Sequence, residues 1–279
     1  MRLLVKIGGA QLAEAKPRQA LARAVAAAHA AGHEVLVVHG GGDQIRAVSK
    51  QLGIEDKYHQ GLRITDAATA DVVLQVLGGQ VNRTVVAALE QAGLRTLGLT
   101  GADGGTFCAK KHTPQGADLG YVGTIHRVDT TLVQALLEIG VLPVLATVAP
   151  LAPELSGDRQ HFYNINADHA CGPLARAFGV DAVLFLTDVP GVLDQSGHLF
   201  QQLDSTNCGF LVEGGVIAGG MIPKVEAAFE AALGSGGEPG CGLVKIAPAQ
   251  GENAVLHALA PGVGTMFLGK PAKEEHGNG

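Results

Sequence analysis

Residues 35–42 constrain the fold more than any other part of the chain. A four-residue apolar run typical of buried strands, 35–38, passes through His39 into three consecutive glycines. The next ten residues carry apolar side chains at helical intervals, Ile45, Val48 and Leu52. The segment therefore predicts a strand, a glycine turn and a helix. Such a turn presents backbone N–H groups at a helix N-terminus, where an anion is favoured, although a plain tight turn would also use glycine.

The composition is typical of a folded protein that binds small molecules. The chain has 279 residues, 47% of them hydrophobic, which is enough for one large α/β domain or two smaller lobes. Its formal net charge of -6 provides no overall basic field for nucleic acid or for an anionic membrane. No uninterrupted apolar run approaches the ~20 residues that span a bilayer, and the N-terminus is too short for a signal peptide. We expect a cytoplasmic protein without nucleic-acid or membrane partners.

The cysteines and histidines give no indication of a metal centre. The four cysteines, Cys108, Cys171, Cys208 and Cys241, are far apart, and the eleven histidines are interpreted as scattered solvent or core side chains. We therefore expect reduced thiols and no dedicated metal site.

Strand and helix signals alternate along most of the chain. This alternation predicts an α/β fold with a mainly parallel sheet covered on both faces by helices. Between residues 101 and 129, glycines and threonines predict antiparallel β-hairpins inserted into the alternation. Separate helices are expected over 66–77 and 81–91, divided by two glycines, and an edge strand is expected over 263–268.

The predicted organisation is two lobes and a tail. We expect an N-terminal lobe over residues 1–175 and a C-terminal lobe over 176–269. Residues 270–279 are polar, and we expect them to be disordered.

Three charged residues lie where phosphoryl chemistry could use them. Lys6 is at the end of the first predicted strand, and Asp168 and Lys224 are at the starts of two helices. Ligands of open α/β sheets bind at the carboxyl ends of the strands, so these side chains could converge on the glycine turn. Two lysines and a carboxylate facing backbone amides suit phosphoryl transfer, because cations must neutralise the charge on the phosphoryl oxygens. The ordinary alternatives are exposed surface lysines and an aspartate that caps its helix.

Two further polar residues are candidates for substrate binding. Arg63 could bind a carboxylate through two parallel hydrogen bonds, or it could be an ordinary exposed arginine. Asn164 could hydrogen-bond a polar ligand or organise the loop before its helix. Neither the P-loop pattern GxxxxGK[ST] nor the dinucleotide pattern GxGxxG occurs at the glycine turn, which argues against those two classes of nucleotide-binding protein.

Six segments resemble, in order, the motifs of the amino-acid kinase family. They are VKIGGA at 5–10, VVHGGG at 37–42, GLRIT at 61–65, NINAD at 164–168, LTDVPGV at 186–192 and GGMIPKV at 219–225. The resemblance extends from residue 3 to about residue 268. It implies an open αβα sandwich with a mainly parallel central sheet, the carbamate kinase-like fold of that family, with a β-hairpin insertion. It places the acid substrate in the N-terminal lobe and ATP in the C-terminal lobe.

The resemblance also implies roles for individual residues. Lys6 and Lys224 would stabilise the phosphoryl group in transfer, and Asp168 would hold the two lysines. Substrate-binding residues would be Gly41, Gly42, Arg63 and Asn164. Residues around the nucleotide would be Gly8, Gly9, Asp188, Val189, Pro190, Gly191, Val192, Leu193, Val216, Ile217 and Ala218.

The implied reaction is ATP-dependent phosphorylation of the γ-carboxylate of N-acetyl-L-glutamate, the second step of arginine biosynthesis, with Mg²⁺ carried by ATP. A γ-carboxylate is ionised at neutral pH, so the nucleophile needs no general base. Two alternatives remain. One is a kinase of the same fold acting on a related acid, such as carrier-bound aminoadipate or glutamate, and the other is a non-catalytic regulatory module that binds amino acids or nucleotides.

The oligomeric state is also inferred from the resemblance. Family members inhibited by arginine carry an additional N-terminal helix, whereas this chain begins almost directly at the first strand. Residues 259–265 retain only part of those members' effector pattern. We therefore expect an arginine-insensitive homodimer, paired through the helix between Asp66 and Gly78.

Overall fold

The computed structural model describes residues 1–234 and 239–269. In this part of the chain the strands are β1 Arg2–Ile7, β2 Glu34–His39, β3 Tyr58–His59, β4 Leu62–Arg63, β5 Thr96–Leu99, β6 Phe107–Lys111, β7 Val122–Val128, β8 Leu142–Ala146, β9 Val148–Ala149, β10 Tyr163–Ile165, β11 Ala182–Thr187, β12 Gln202–Leu203, β13 Leu243–Pro248 and β14 Thr265–Phe267. The helices are α1 Gly9–Ala13, α2 Ala15–Ala30, α3 Gly42–Gln51, α4 Ala67–Val73, α5 Asn82–Gln91, α6 Thr131–Glu138, α7 Ala167–Phe178, α8 Ser205–Glu213, α9 Met221–Leu233 and α10 Ala254–Leu259. A π-helical segment, Leu74–Val81, joins α4 to α5.

The central sheet has eight strands in the order β12-β14-β13-β11-β1-β2-β8-β5. The strands from β13 to β5 pair in parallel, whereas β14 is antiparallel to β13 and parallel to β12. The predicted α/β fold with a mainly parallel sheet is confirmed. The parallel pairing brings the carboxyl ends of β1 and β2 side by side, where the glycine turns follow.

Both faces of the central sheet are buried. Neighbouring residues point to opposite layers: Leu4 and Leu36 belong to one apolar cluster, and Leu3 and Val35 belong to the other. The first cluster includes buried residues of α7 and α9, and the second includes those of α2, α5 and α10. Burial on both faces explains why the central strands are apolar at almost every position.

The predicted hairpin insertion is confirmed and forms part of a second sheet. Strands β6 and β7 are antiparallel, as the sequence between residues 101 and 129 indicated. β7 then pairs in parallel with β10, and β10 pairs with β9, in the order β6-β7-β10-β9. Since β9 and β10 lie far from the hairpin in sequence, this pairing is a result of tertiary structure.

The predicted interruption between residues 77 and 81 is wrong, because the helix continues from Ala67 to Gln91 through the π-helical segment. A Cβ on Gly78 would lie 3.1 Å from Cγ2 of Thr100, so glycine allows the helix to approach its neighbour closely. The wide π turn keeps the backbone helical through the glycine pair. By length and composition this 25-residue helix could cross a membrane, but 50% of its most apolar window is buried, as in the core helix of a globular protein.

Some short elements also differ from expectation. β14 is not an edge strand, because β12 pairs along its outer side. Helices α8 and α10 were not predicted from the sequence, and helices this short depend on tertiary packing for their stability. The four cysteines lie in the described part of the chain and are free thiols, as expected. The tail expected over 270–279 lies outside the described residues.

Candidate functional site

A cleft of about 270 Å³ opens at the carboxyl ends of β1 and β2. Its walls come from strand ends, the glycine turns, the β3–β4 hairpin and the start of α7. The predicted site residues that line it are Lys6, Gly8, Gly9, Gly41, Gly42, Arg63, Asn164 and Asp168. The structure thus brings together most of the candidates for catalysis and substrate binding, although they come from distant parts of the chain.

Two lysines bind the same carboxylate at this cleft. Nζ of Lys6 lies 2.6 Å from Oδ1 of Asp168, and Nζ of Lys224 lies 3.0 Å from Oδ2 of the same residue. The side chains of Lys6 and Asp168 are only 6% and 11% exposed, whereas that of Lys224 is 24% exposed. Lys224 reaches the group from the first turn of α9. The alternative that Lys6 and Lys224 are exposed surface lysines is therefore wrong.

The three charges shift one another's pKa values. Burial alone would lower the pKa of Lys6, but the Asp168 carboxylate outweighs it and the pKa is raised. Burial and the nearby Lys6 charge lower the pKa of Lys224, whose contact with Asp168 is longer. Burial would raise the pKa of Asp168, but the two lysines lower it to about 2. Asp168 is therefore a carboxylate at neutral pH, and two ammonium groups against one carboxylate leave positive charge at the cleft.

Asp168 does not cap its own helix. The N-cap of α7 is Asn166, whose Oδ1 accepts hydrogen bonds from the backbone N–H groups of Asp168 at 2.8 Å and His169 at 3.2 Å. The amide side chain thus satisfies the first turn and leaves the Asp168 carboxylate free for the lysines. The alternative role of Asp168 as an N-cap is wrong.

The glycine turn after β2 packs against the long helix. A Cβ on Gly41 would lie 2.8 Å from Cδ2 of Leu77 and 3.1 Å from Cγ2 of Val81, both in the π-helical segment. Only glycine therefore lets the turn approach that helix without displacing it. The N–H groups of residues 42–44 form the first turn of α3, where they lack intrahelical acceptors and can donate to an anion.

A second glycine turn follows β1, the neighbouring strand. Gly8 is the N-cap of α1, and a Cβ on Gly9 would lie 3.0 Å from Oδ2 of Asp43. The Asp43 carboxylate therefore lies against this turn, and its Oδ1 accepts a hydrogen bond from Nη1 of Arg46 at 3.0 Å. Two turns with small residues thus flank the cleft on adjacent strands.

His39 is a residue that the sequence interpretation did not single out. Its ring is fully buried; Nδ1 lies 3.0 Å from the carbonyl oxygen of Gly40, and Nε2 lies 3.0 Å from Nδ2 of Asn82. Burial lowers the pKa of His39 to about 4, so the ring is neutral at pH 7. A neutral ring with its proton on Nδ1 donates to Gly40 and accepts from Asn82. The feature of the sequence that could have identified His39 is its position immediately before the three glycines.

Arg63 is buried rather than exposed. Its side chain is 6% exposed; Nη1 donates to Oδ1 of Asp56, and Nη2 donates to the carbonyl oxygen of Gly42 at 3.0 Å. The guanidinium also lies 5.0 Å from the centre of the Tyr58 ring. Burial and the charge of Arg46 lower the pKa of Arg63 to about 10, which leaves it charged at neutral pH. The alternative of an ordinary exposed arginine is therefore wrong.

Asn164 also lines the cleft. Its Nδ2 donates to Oγ1 of Thr65 at 3.3 Å, and that hydroxyl donates to the carbonyl oxygen of Arg63 at 3.0 Å. Asn164 is thereby linked to the hairpin that carries the arginine.

Of the predicted nucleotide residues, Gly8 and Gly9 line this cleft, whereas the others lie apart from it. Of Asp188, Val189, Pro190, Gly191, Val192, Leu193, Val216, Ile217 and Ala218, none is among the described residues that line it. Val192 and Ile217 are buried in the apolar core, and the N–H of Val192 donates to Oγ1 of Thr265 at 2.9 Å. Gly191 has φ 150°, and a Cβ there would lie 2.6 Å from Cδ1 of Leu199, so this turn requires glycine. The backbone angle and the close contact with Leu199 both restrict this position to glycine.

A larger groove of about 780 Å³ continues from the cleft between β7 and α7. The two spaces share Leu62, Val122, Ile165 and Asn166. The ionisable residues that line the groove are Lys110, His112, His126, Arg127, His169, Arg176 and Glu230. Within residues 1–234 and 239–269, no group of three or more His, Cys, Asp or Glu side chains is arranged to hold a metal ion.

This architecture and the paired lysines at its sheet edge define a known class of protein. The chain belongs to the amino acid kinase family, whose family model matches residues 1–239. The resemblance in sequence motifs is thereby confirmed.

Individual relatives narrow the comparison. The chain is 42% identical over 239 residues to the acetylglutamate kinase of Allorhizobium ampelinum (strain ATCC BAA-846 / DSM 112012 / S4), covering 82% of this chain and 79% of that protein. It is 40% identical over 255 residues to the acetylglutamate kinase of Koribacter versatilis (strain Ellin345), covering 91% and 93% respectively. Among solved structures, smu.665 from Streptococcus mutans UA159 superposes with a TM-score of 0.78 at 26% identity, covering 96% of this chain and 99% of that chain.

Proposed function

We propose that this protein transfers the γ-phosphoryl group of ATP to the γ-carboxylate of N-acetyl-L-glutamate, forming N-acetyl-L-glutamyl 5-phosphate and ADP in the second step of arginine biosynthesis. The observation that carries the proposal is the Lys6–Asp168–Lys224 cluster beside the glycine turns. The acetylglutamate kinases that are 40–42% identical to this chain over the aligned residues support the choice of acid.

The proposed chemistry requires charge placement rather than proton transfer. An oxygen of the ionised γ-carboxylate attacks the γ-phosphorus as the bond between that phosphorus and the ADP oxygen breaks, so no proton moves at the nucleophile. The ammonium groups of Lys6 and Lys224 would neutralise charge on the transferring oxygens. Asp168 would hold both ammonium groups in position before the substrates arrive, which avoids reorganisation during the reaction.

The cleft has the donors that a phosphate chain needs. The first-turn N–H groups of α3 and the turn at Gly8 and Gly9 would contact phosphoryl oxygens, and Gly41 and Gly42 would hold the substrate's carboxylate next to them. Mg²⁺, carried by the nucleotide, would neutralise further phosphate charge when ATP binds. Arg63 would pair with the α-carboxylate, and Asn164 would hydrogen-bond the neighbouring polar groups.

We place the nucleotide and the acid in different lobes. Residues 1–175 would bind the acid, and residues 176–269 would bind adenine and ribose along the turn 188–193 and the segment 216–218. The protein would act in the cytoplasm as a homodimer paired through the helix that begins after Asp66. The Asp66 carboxylate caps that helix by accepting a hydrogen bond from the N–H of Thr69 at 2.8 Å.

An ATP-dependent hydroxamate assay tests the proposed function. Hydroxylamine traps the acyl phosphate, and the rates with N-acetyl-L-glutamate, L-glutamate and N-acetyl-L-aminoadipate are compared. We expect the highest kcat/KM with N-acetyl-L-glutamate. Preference for another acid would favour a related kinase, and no product with any acid would favour a non-catalytic binding module.

A further inference from the structure

Arg63, which lines the cleft, is already paired with a carboxylate of the same chain. Asp56 accepts a hydrogen bond from Nη1 of Arg63 through Oδ1, and its side chain is only 18% exposed. Asp56 precedes β3, so this contact ties the base of the β3–β4 hairpin to the guanidinium that lines the cleft. A buried cation requires a counter-charge, and Asp56 provides one from within the chain.

The same carboxylate lies next to a second arginine. Oδ2 of Asp56 is 3.6 Å from Nε of Arg46, whose side chain is 58% exposed at the mouth of the cleft. Arg46 also donates from Nη1 to Oδ1 of Asp43 at 3.0 Å, and its Nη2 lies 3.5 Å from Oη of Tyr58. Asp56 therefore stands between a buried arginine and an exposed one, with one oxygen directed to each.

We propose that the Asp56 carboxylate pairs with Arg63 when no acid is bound and pairs with Arg46 instead when the acid binds. Asp56 thereby competes with the acid for Arg63 and sets the enzyme's affinity for the acid. This inference rests on the proposed function for the identity of the acid. The terminal edge of the Arg63 guanidinium is already engaged, because Nη1 donates to Asp56 and Nη2 donates to the carbonyl oxygen of Gly42. A second carboxylate that pairs with this edge would be repelled by Asp56. The incoming α-carboxylate must therefore displace Asp56 from Arg63, and Arg46 is placed to receive the displaced carboxylate.

Competition of this kind has a defined effect on kinetics. The apparent affinity for the acid is the intrinsic affinity multiplied by the fraction of molecules in which Arg63 is free, whereas the chemistry after binding is unaffected. If about one molecule in ten has a free Arg63, the apparent affinity is about tenfold weaker than the intrinsic one. The residue thus acts on KM for the acid rather than on kcat.

The test is a comparison of KM and kcat in the hydroxamate assay. Asp56→Asn keeps the shape and removes the charge, and we expect KM for N-acetyl-L-glutamate to fall about tenfold with a much smaller change in kcat. Arg46→Gln removes the alternative partner, and KM should rise. The control is Glu55→Gln, which removes the neighbouring acidic charge on a side chain that is 79% exposed and pairs only with Lys57 at 3.5 Å; its KM should match wild type.

The opposite results would overturn the proposal. A higher KM in Asp56→Asn would mean that Asp56 orients Arg63 for the substrate, and an unchanged KM would mean that it does neither. Should wild type give no hydroxamate, the proposed function fails, and the Asp56 inference is then measured by the rise in Tm that N-acetyl-L-glutamate produces. A larger rise in Asp56→Asn than in wild type supports the competition, and an equal or smaller rise contradicts it. Asp56→Ser is used for the same measurements if the Asn variant does not fold.

Discussion

Nζ of Lys6 lies 2.6 Å from Oδ1 of Asp168, although the two residues are on different elements of the fold and far apart in the chain. Lys6 is the penultimate residue of the buried strand β1, where an uncompensated ammonium group would be strongly destabilising. The carboxylate at the start of α7 makes that position tolerable and at the same time aims the ammonium group at the glycine turns. Structural need and proposed chemistry therefore coincide in this contact.

Removal of either lysine should slow the reaction. We expect Lys6→Ala and Lys224→Ala each to lower kcat by roughly 10²-fold or more, the scale for loss of one preorganised electrostatic donor. Steady-state hydroxamate kinetics measure this, and Lys16→Ala, at an exposed position of α2, is the control. Near wild-type turnover in either variant would exclude that lysine from the mechanism.

Asp168→Asn should alter the pH dependence of stability. The pKa of Asp168 in the folded protein, about 2, is below the ordinary value near ~3.9, so its stabilisation is present above about pH 4 and is lost as the pH falls toward 2. We expect Asp168→Asn to be less stable than wild type by about 3 kcal/mol at pH 7, because it leaves two lysines without their carboxylate. Urea unfolding at several pH values should show this difference narrowing below pH 4. If the difference in unfolding free energy between wild type and Asp168→Asn stayed constant from pH 7 to pH 3, the lowered pKa of Asp168 would be contradicted.

His39 should contribute a separate pH effect. Its pKa in the folded protein, about 4, is below the ordinary ~6.5, so the unfolded chain binds a proton that the folded protein does not. Stability is therefore highest above about pH 6.5 and falls as the pH drops toward 4, by about 3 kcal/mol for this group. We expect the free energy of unfolding of His39→Gln, measured in urea, to depend much less on pH between 6.5 and 4 than that of wild type. His198→Gln, at a side chain that is 83% exposed, should show the same pH dependence as wild type.

Arg63→Lys should weaken binding of the acid. Lysine keeps the charge but cannot form two parallel hydrogen bonds to one carboxylate. We expect KM for N-acetyl-L-glutamate to rise roughly 10- to 100-fold, on the scale of one or two charge-assisted hydrogen bonds, with KM for ATP nearly unchanged. Arg23→Lys is the control, because Arg23 forms an exposed pair with Glu252. An equal rise in KM for N-acetyl-L-glutamate and in KM for ATP would mean that Arg63 does not bind the acid specifically.

The proposed dimer can be tested by light scattering. We expect a mass of twice 28.5 kDa for the wild-type chain. Gln75→Arg introduces a charge at an exposed position of the long helix and should shift the mass toward the monomer, whereas Lys50→Glu on α3 should not. A monomeric or hexameric wild type would contradict the proposal.

Much of the fold could be predicted because its signals are local. The apolar runs of β1, β2 and β11 are each buried on both faces, and each is followed closely by glycine or turn residues, so strand and turn were visible in sequence. The break at Gly78 and Gly79 was mispredicted because glycine's low helix propensity was outweighed by packing. Short elements such as α8 have no strong period of their own, and their existence depends on the rest of the fold.

Among the site residues, the sequence by itself determined which could carry the chemistry. It identified a lysine within a buried strand, glycines at two strand ends and an arginine within a short apolar stretch. Tertiary structure alone decided their partners: that Asn166 rather than Asp168 caps α7, that His39 bonds Asn82, and that Arg63 is held by Asp56. The physical reason is range. Helix and strand patterns arise between residues a few positions apart, whereas the burial and the partner of a charge depend on which distant segments fold against it.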